Sequence, residues 1–325
     1  MEMLGTYELT GHLSSQNSGY SIWGFGKRGG RDYFIKQFLS PKYPEGDTVS
    51  SPERLQKKIA QCRKFEQMKF AIYKQLNDNT DGNAVRVTEF FRLGSKYYIT
   101  MPKIEALPWT AEDVAALPEE DKRRLCYIIA HGIAGIHKGR IVHADLKHDN
   151  VLFMYARNGS VTAKIIDFDS SFLETDPPEA GEDIIGDLVY FSPEACMSIW
   201  GEPRELTCKM DIFSLGVLFH QYFAGELPGF DREQCNYPGE AVAKGFPLTL
   251  SERVPEDVRE LLSSMLAEDP AQRPDAEAVS RGLFTAPPPE EVVVPASETA
   301  AEPPKNEGFY SSTTSGNPFF AAGDL

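Results

Sequence analysis

The sequence contains no uninterrupted apolar run of the ~18–20 residues that a membrane-spanning helix needs. It also has no basic stretch followed by an apolar run near its start, so we expect no secretory signal and a cytoplasmic location. The five cysteines are widely spaced and form no CxxC pair, which disfavours a disulfide framework and a structural zinc site. With 41% hydrophobic and 25% charged residues, the 325-residue chain has a globular composition, which excludes collagen and coiled-coil proteins.

A concentrated basic face is also lacking. The net charge of −15 divides into +6 for residues 1–104, −16 for residues 105–285 and −5 for residues 286–325. Binding to duplex nucleic acid needs clustered positive charge, so we expect no nucleic-acid partner and no membrane partner. The basic first part is compatible with an anionic ligand, and the acidic second part with basic protein partners. Acidic surfaces also simply keep proteins in solution, which is an equally good interpretation.

The pattern of residue types changes along the chain. A β-hairpin is predicted over residues 20–39, with its turn at residues 26–31, and a helix over residues 51–76. Met210–Ala224 is almost entirely apolar, which is typical of a helix that is buried on every side. The sequence therefore predicts an α+β chain with three parts: a small β-rich lobe (1–104), a larger and mainly helical lobe (105–285), and a flexible tail rich in Pro, Ser and Thr (286–325).

Two short segments carry the candidate chemistry. Residues 143–150 are HADLKHDN, and residues 165–169, after fourteen intervening residues, are IIDFD. The first resembles the catalytic loop of protein kinases, H-R-D-x-x-x-x-N, and the second resembles their D-F-G metal loop. Asp and Asn are common in polar loops, so either segment alone is weak, but the pair at this distance is specific. The resemblance covers about residues 7–284 and implies the bilobal kinase fold.

The resemblance implies a role for each polar residue of these segments. Asp145 would accept a hydrogen bond from the incoming hydroxyl, and Lys147 would neutralise charge on the transferring phosphoryl group. Asn150 and Asp167 carry the oxygen ligands that Mg²⁺ prefers, with Mn²⁺ as the alternative ion. The resemblance thus implies ATP- and Mg²⁺-dependent transfer to Ser/Thr hydroxyls of protein substrates.

Lys36 is predicted on a strand, where alternation places it on the same face as Phe34 and Phe38. An amine on an apolar face is costly unless it is paired. Glu66 is the only carboxylate between Arg54 and Asn77 and is therefore the natural partner, although a lysine can also extend to water. In protein kinases, this Lys–Glu pair binds the α- and β-phosphates of ATP.

Further segments match the family in order. They implicate Gly19 in the phosphate loop, Met101 at the back of the adenine site, Leu152 as its floor, a structural pair of Glu194 with Arg273, and Asp211 as the residue that ties down the catalytic loop. The phosphate loop is the poorest match, because one glycine stands where three are usual.

Three departures separate this chain from regulated kinases. Ala144 replaces the arginine that receives an activation-loop phosphate, which makes the chain a non-RD type. Residues 167–194 contain nine carboxylates and no Lys or Arg, so a phosphate there would meet like charge. We therefore expect activity that does not require activation-loop phosphorylation. Asp169 and Asp187 also replace the usual glycine and threonine.

Two other functions remain open at this point. A small-molecule kinase of the aminoglycoside-phosphotransferase type has a small residue at the position of Ala144 and often an acidic D-x-D. A pseudokinase scaffold would account for the poor phosphate loop. The amino-acid sequence of residues 17–44 resembles that of bacterial kinases of eukaryotic type. Hydroxyls in the tail form a candidate autophosphorylation cluster: Ser311, Ser312, Thr313, Thr314 and Ser315.

Overall fold

The computed structural model describes residues 2–15, 21–179 and 184–284. Gly19 and the predicted tail lie outside these residues. The described residues divide into two units: the first comprises those up to Tyr73 together with Arg86–Ile104, and the second comprises Lys74–Val85 and those from Glu105 to residue 284. The predicted fold class, with a β-rich lobe and a mainly helical lobe, is confirmed. The predicted bounds of the parts stay a prediction, and residues 74–85 group with the helical unit.

The first unit is built on an antiparallel sheet in the order β1-β2-β3-β4-β6-β5. The strands are β1 (Met3–Leu4), β2 (Tyr7–Leu9), β3 (Ser21–Arg28), β4 (Arg31–Phe38), β5 (Glu89–Leu93) and β6 (Lys96–Pro102). The β3–β4 hairpin turns at Gly29 and Gly30, whose positive φ values of 58° and 77° suit a tight two-residue loop.

The predicted turn at residues 26–31 was therefore too wide. Gly26 lies within β3, opposite Tyr33. A Cβ atom at Gly26 would stand 2.7 Å from Cδ1 of Ile35 and 3.1 Å from the carbonyl oxygen of Glu8. Gly26 thus serves close packing between strands rather than chain reversal.

A long helix, α1 (Pro52–Asn79), follows the hairpin and continues three residues beyond its predicted end. Proline at the first helical position and Glu53 in the first turn favour its start. Within the first unit, α1 packs on the sheet through aromatic rings. The ring of Phe65 lies 5.3 Å from Phe38, 6.0 Å from Phe90 and 5.2 Å from Tyr97.

The second unit is mainly helical. Its helices are α2 (Ala111–Ala115), α3 (Glu119–Lys138), α4 (Pro193–Ile199), α5 (Lys209–Ala224), α6 (Pro238–Ala243), α7 (Glu256–Met265) and α8 (Ala276–Gly282). Its strands are β7 (Ile141–Val142), β8 (Val151–Tyr155), β9 (Val161–Ile165) and β10 (Phe172–Leu173), paired as β8 with β9 and β7 with β10. None of the helices in the described residues is both long and apolar enough to cross a membrane.

Helix α5 is the core of this unit. Fourteen of its sixteen residues are buried, which agrees with the apolar pattern in the sequence. It ends at Gly225, whose φ of 78° is the left-handed conformation typical of a residue that stops a helix. Because α5 is packed on all sides, a polar group that points from it is held in a fixed position.

Candidate active site

The loop between β7 and β8 is held by hydrogen bonds to a side chain of helix α5. Asp211, in the first turn of α5, is fully buried. Its carboxylate accepts hydrogen bonds from the backbone N–H groups of His143 and Ala144, at 2.8 and 3.0 Å, and from Nε2 of His137 at 2.9 Å. Ala144 has a φ of 65°, a conformation that residues with a side chain rarely adopt. The Asp211 carboxylate therefore stabilises a strained backbone immediately before Asp145.

The Asp145 side chain is fixed by three neighbours. Its Oδ1 accepts a hydrogen bond from the backbone N–H of Asp187 at 2.8 Å. Its Oδ2 accepts from Nδ2 of Asn150 at 2.8 Å and lies 3.3 Å from Nζ of Lys147. A carboxylate has about four acceptor sites, and these contacts use three of them. Among the contacts made by the described residues, one acceptor site of Asp145 is left for a hydroxyl group that approaches the loop.

Asn150 and Asp167 provide the candidate metal ligands. Both amide hydrogens of Asn150 are used, on the backbone oxygen of Asp145 at 2.6 Å and on its carboxylate, so the amide oxygen is the atom left for a metal. Asp167 has a φ of 63° and accepts the N–H of Asp169 at 3.2 Å through Oδ1.

This donor set fits Mg²⁺. The described residues contain no group of three or more His, Cys, Asp or Glu side chains that could hold a metal ion. Sites of the zinc type are thus not formed by these residues. Mg²⁺ is commonly held by one or two protein oxygens, with phosphate and water oxygens completing its shell, and one carboxylate with one amide oxygen is such a set.

The segment after the loop approaches it closely at Gly186. A Cβ atom there would stand 2.7 Å from the carbonyl oxygen of Ala144. The next residue, Asp187, donates its N–H to Asp145, caps the N–H of Val189 at 3.0 Å, and places Oδ2 3.9 Å from Nζ of Lys147. Residues 186 and 187 therefore contact the β7–β8 loop at Ala144, Asp145 and Lys147.

Glu194 and Arg273 form a buried ion pair across 79 residues. The two guanidinium nitrogens of Arg273 donate to the two carboxylate oxygens of Glu194 at 2.7 and 2.9 Å. The remaining donors reach the backbone oxygens of Ala267, Lys209 and Glu268 at 2.8–2.9 Å. The pair joins the start of α4, which ends the 167–194 segment, to the region that precedes α8.

In the first unit, Lys36 lies on β4 with 7% of its surface exposed, opposite Trp23 on β3 and Ile99 on β6. Met101 is buried on β6, opposite Phe34. The Glu66 carboxylate on α1 accepts a hydrogen bond from the hydroxyl of Tyr97 at 2.7 Å. The pairing of Glu66 with Lys36 stays a prediction, as does the nucleotide role of Met101.

Leu152 lies on β8 of the second unit, opposite Lys164 on β9. Burial lowers the pKa of Lys164 from its ordinary value. Leu152 is half-buried, and its role as an adenine floor stays a prediction. The predicted phosphate loop includes Gly19, which lies outside the described residues.

Sequence reasoning did not identify His148 as part of this arrangement. The ring accepts at Nδ1 from the hydroxyl of Tyr222 at 3.1 Å and donates at Nε2 to the backbone oxygen of Trp109 at 2.9 Å. The carbonyl can only accept, which fixes these roles. His148 thus anchors the 3₁₀ turn His148–Asn150 to α5 and to the segment before α2. The sequence indicated a role for His148 only through its position between Lys147 and Asn150.

Comparison with known proteins places these residues in context. The sequence model of the protein kinase domain family matches residues 54–284 of this chain. A calcium and calcium/calmodulin-dependent serine/threonine-protein kinase from Lotus japonicus is 34% identical over 154 residues, which cover 46% of this chain and 28% of the relative. An Aurora kinase from Schizosaccharomyces pombe is 30% identical over 163 residues, which cover 50% and 42% of the two chains.

Longer but weaker matches also occur. The serine/threonine-protein kinase ssp1 from S. pombe is 23% identical over 260 residues, covering 75% of this chain and 38% of the relative. This chain spans less than a third of the length of the Lotus japonicus kinase and of a kinase of the same description from Lilium longiflorum. The structure of the PK-1 kinase from Cydia pomonella granulovirus has a TM-score of 0.58 at 18% identity, covering 87% of this chain and 94% of that one. This likeness shows the shared kinase fold.

Proposed function

The chain belongs to the protein kinase family, and from that membership we propose that it transfers the γ-phosphoryl group of ATP to serine or threonine hydroxyls of protein substrates. The observation that carries the proposal is the Asp145 carboxylate, which is fixed by Asp187, Asn150 and Lys147 and keeps one acceptor site for a hydroxyl. The serine/threonine kinases among the relatives support the choice of substrate class.

Each residue has a defined part in this reaction. The acceptor hydroxyl would donate to Asp145, which orients the hydroxyl oxygen toward the phosphoryl group. Lys147 would offset negative charge that develops on the transferring group. Asn150 and Asp167 would hold Mg²⁺, or Mn²⁺ in its place, and the ion would neutralise phosphate charge. Lys36, paired with Glu66, would bind the α- and β-phosphates, and Gly19, Met101 and Leu152 would line the rest of the nucleotide site.

We also propose that activity does not require phosphorylation of the activation loop, as expected for a non-RD kinase. Ala144 offers no guanidinium to a phosphate, and residues 167–194 contain no Lys or Arg. Asp187, in the same segment, donates its backbone N–H to Asp145, so the segment is tied to the β7–β8 loop through its own backbone. Phosphatase treatment should leave the rate unchanged, and mass spectrometry should find the segment unmodified. An inactive dephosphorylated chain would refute this part.

Basic protein substrates in the cytoplasm are the proposed acceptors. Burial, followed by the charges of Asp187, Asp149 and Glu112, raises the pKa of Tyr190, so acidic groups surround the catalytic loop within the second unit. Such a surface would attract positively charged peptides. The tail hydroxyls, Ser311 to Ser315, are proposed as autophosphorylation sites. We also propose, from the resemblance of residues 17–44, that the chain is a bacterial kinase of eukaryotic type.

The test is phosphoryl transfer from labelled Mg-ATP to a mixture of basic proteins, with labelled residues mapped by mass spectrometry. The wild-type chain should label Ser/Thr, and Asp145→Ala should reduce the rate by ~10²–10⁴-fold. Asp78→Ala, at an exposed aspartate of α1, is the matched control and should leave the rate unchanged. No label on any protein, with Mg-ATP bound, would refute the proposal and favour a small-molecule acceptor or a scaffold.

A further inference from the structure

The Tyr97 hydroxyl joins the sheet of the first unit to helix α1. It donates to Oε1 of Glu66 at 2.7 Å. Tyr97 lies on β6 and Glu66 on α1. A single hydroxyl on the sheet thus bonds directly to a carboxylate of the helix.

The ring that carries this hydroxyl has little freedom to move. Only 1% of the Tyr97 surface is exposed, and its ring lies 5.2 Å from Phe65 on α1 and 6.1 Å from Phe90 on β5. Burial, followed by the charge of the Glu66 carboxylate, raises the pKa of Tyr97. The phenol therefore stays protonated at neutral pH and donates to a carboxylate that can only accept.

The strand register places Lys36 on the same face of the sheet. Lys36 lies opposite Ile99 in the antiparallel β4–β6 pair, and directly opposite residues share a face. Tyr97 and Ile99 are two residues apart on β6, so they also share that face. The hydrogen bond from Tyr97 uses one acceptor site of the Glu66 carboxylate, and the remaining sites can serve Lys36.

We propose that Tyr97 is a positioning residue, whose hydroxyl holds the Glu66 carboxylate over the sheet face that carries Lys36 and so shapes the phosphate end of the nucleotide site. The inference rests on the proposed function, because it concerns binding of ATP. Without the hydroxyl, the Glu66 carboxylate loses the bond that orients it, and ATP should bind less well. Recognition of the protein acceptor, which we assign to the second unit, should not change.

The experiment compares Tyr97→Phe with Tyr98→Phe. Each change removes one buried hydroxyl, and the Tyr98 hydroxyl bonds to Gln37 at 3.0 Å on the other face of the same strand. For Tyr97→Phe, kcat/KM for ATP should fall about tenfold, the size of a lost hydrogen bond to a charged group, with an unchanged KM for the protein substrate. Tyr98→Phe should change both constants by less than about twofold.

A second set of variants separates positioning from general packing. If Tyr97 acts through Glu66, adding Tyr97→Phe to Glu66→Ala should produce no further loss in kcat/KM for ATP. A full additional loss in that background, or equal losses for Tyr97→Phe and Tyr98→Phe, would overturn the positioning role. An impaired Glu66→Ala beside an unimpaired Tyr97→Phe would do the same.

The same measurements distinguish failure of the inference from failure of the proposed function. A wild-type chain that transfers phosphate shows that the function holds, and the variants then test only Tyr97. A wild-type chain that neither binds Mg-ATP nor transfers phosphate refutes the function, and the positioning role is refuted with it.

Discussion

Removal of the Arg273 side chain should strongly destabilise the second unit. The guanidinium is buried, and every donor that it carries is hydrogen-bonded, two of them to the Glu194 carboxylate. The Cζ atom also lies 5.2 Å from the ring centre of Phe213 in α5. Arg273→Met would leave a buried carboxylate and three backbone oxygens without this partner. Breaking one side of a buried ion pair typically costs about 3–5 kcal/mol, so we expect a loss of at least that size.

Urea unfolding followed by far-UV circular dichroism would measure this change in the free energy of unfolding. The double variant Glu194→Met with Arg273→Met removes the unpaired carboxylate and should be about 1–3 kcal/mol more stable than Arg273→Met alone. It should not regain wild-type stability, because the three backbone oxygens still lack the guanidinium.

Arg281→Met provides the matched control. The Arg281 side chain is 70% exposed and lies 3.8 Å from Glu277, so its removal should cost less than about 1 kcal/mol. A loss below about 1 kcal/mol for Arg273→Met, or a double variant less stable than the single one, would show that the reasoning is wrong.

Two further changes test the loop and the core. Gly186→Ala should lower kcat about tenfold or more, because its Cβ would meet the ring of Phe191 and the carbonyl oxygen of Ala144. Gly11→Ala has open space around its Cβ and should leave kcat unchanged, and equal rates for the two variants would contradict this. Burial lowers the pKa of His220 below its ordinary 6.5, and a protonated ring would face the N–H of Ser251. The unfolded chain then binds the proton first, so the free energy of unfolding should fall as the pH drops below 6.5. In urea titrations at about pH 7.5 and 5.5, His220→Gln should show a smaller fall, and an identical fall would count against His220 as the cause.

The candidate site residues could be predicted from the sequence because each lies in a short motif, and the motifs follow one another in the order found in protein kinases. Glu194 and Arg273 are 79 residues apart, and no periodicity relates them. Only the resemblance to kinases suggested the pair, and the two side chains lie in direct contact. The burial of Lys36 followed from simpler reasoning, since alternation along a strand places it among aromatic neighbours.

Other features depend on contacts that the sequence does not specify. The turn of the first hairpin was misplaced because Gly24, Gly26, Gly29 and Gly30 all permit a reversal, and only the pairing register decides among them. The pattern of β6 indicates that Tyr97 is buried but not that its hydroxyl meets α1. The sequence did not show why residue 186 must be glycine, since the space for a side chain is closed by the ring of Phe191 and by the carbonyl oxygen of Ala144, 42 positions earlier in the chain.

The Asp211 carboxylate also determines how the β7–β8 loop can move. The N–H groups of His143 and Ala144 end on a side chain in the first turn of α5, and that helix is buried along nearly its whole length. These two amide protons can exchange with water only when the carboxylate and the loop separate, which requires the packing around α5 to open. Their exchange should therefore follow the most cooperative opening of the second unit, unlike that of ordinary surface loops. With respect to hydrogen exchange, the β7–β8 loop is therefore part of the slowest-exchanging core of the second unit.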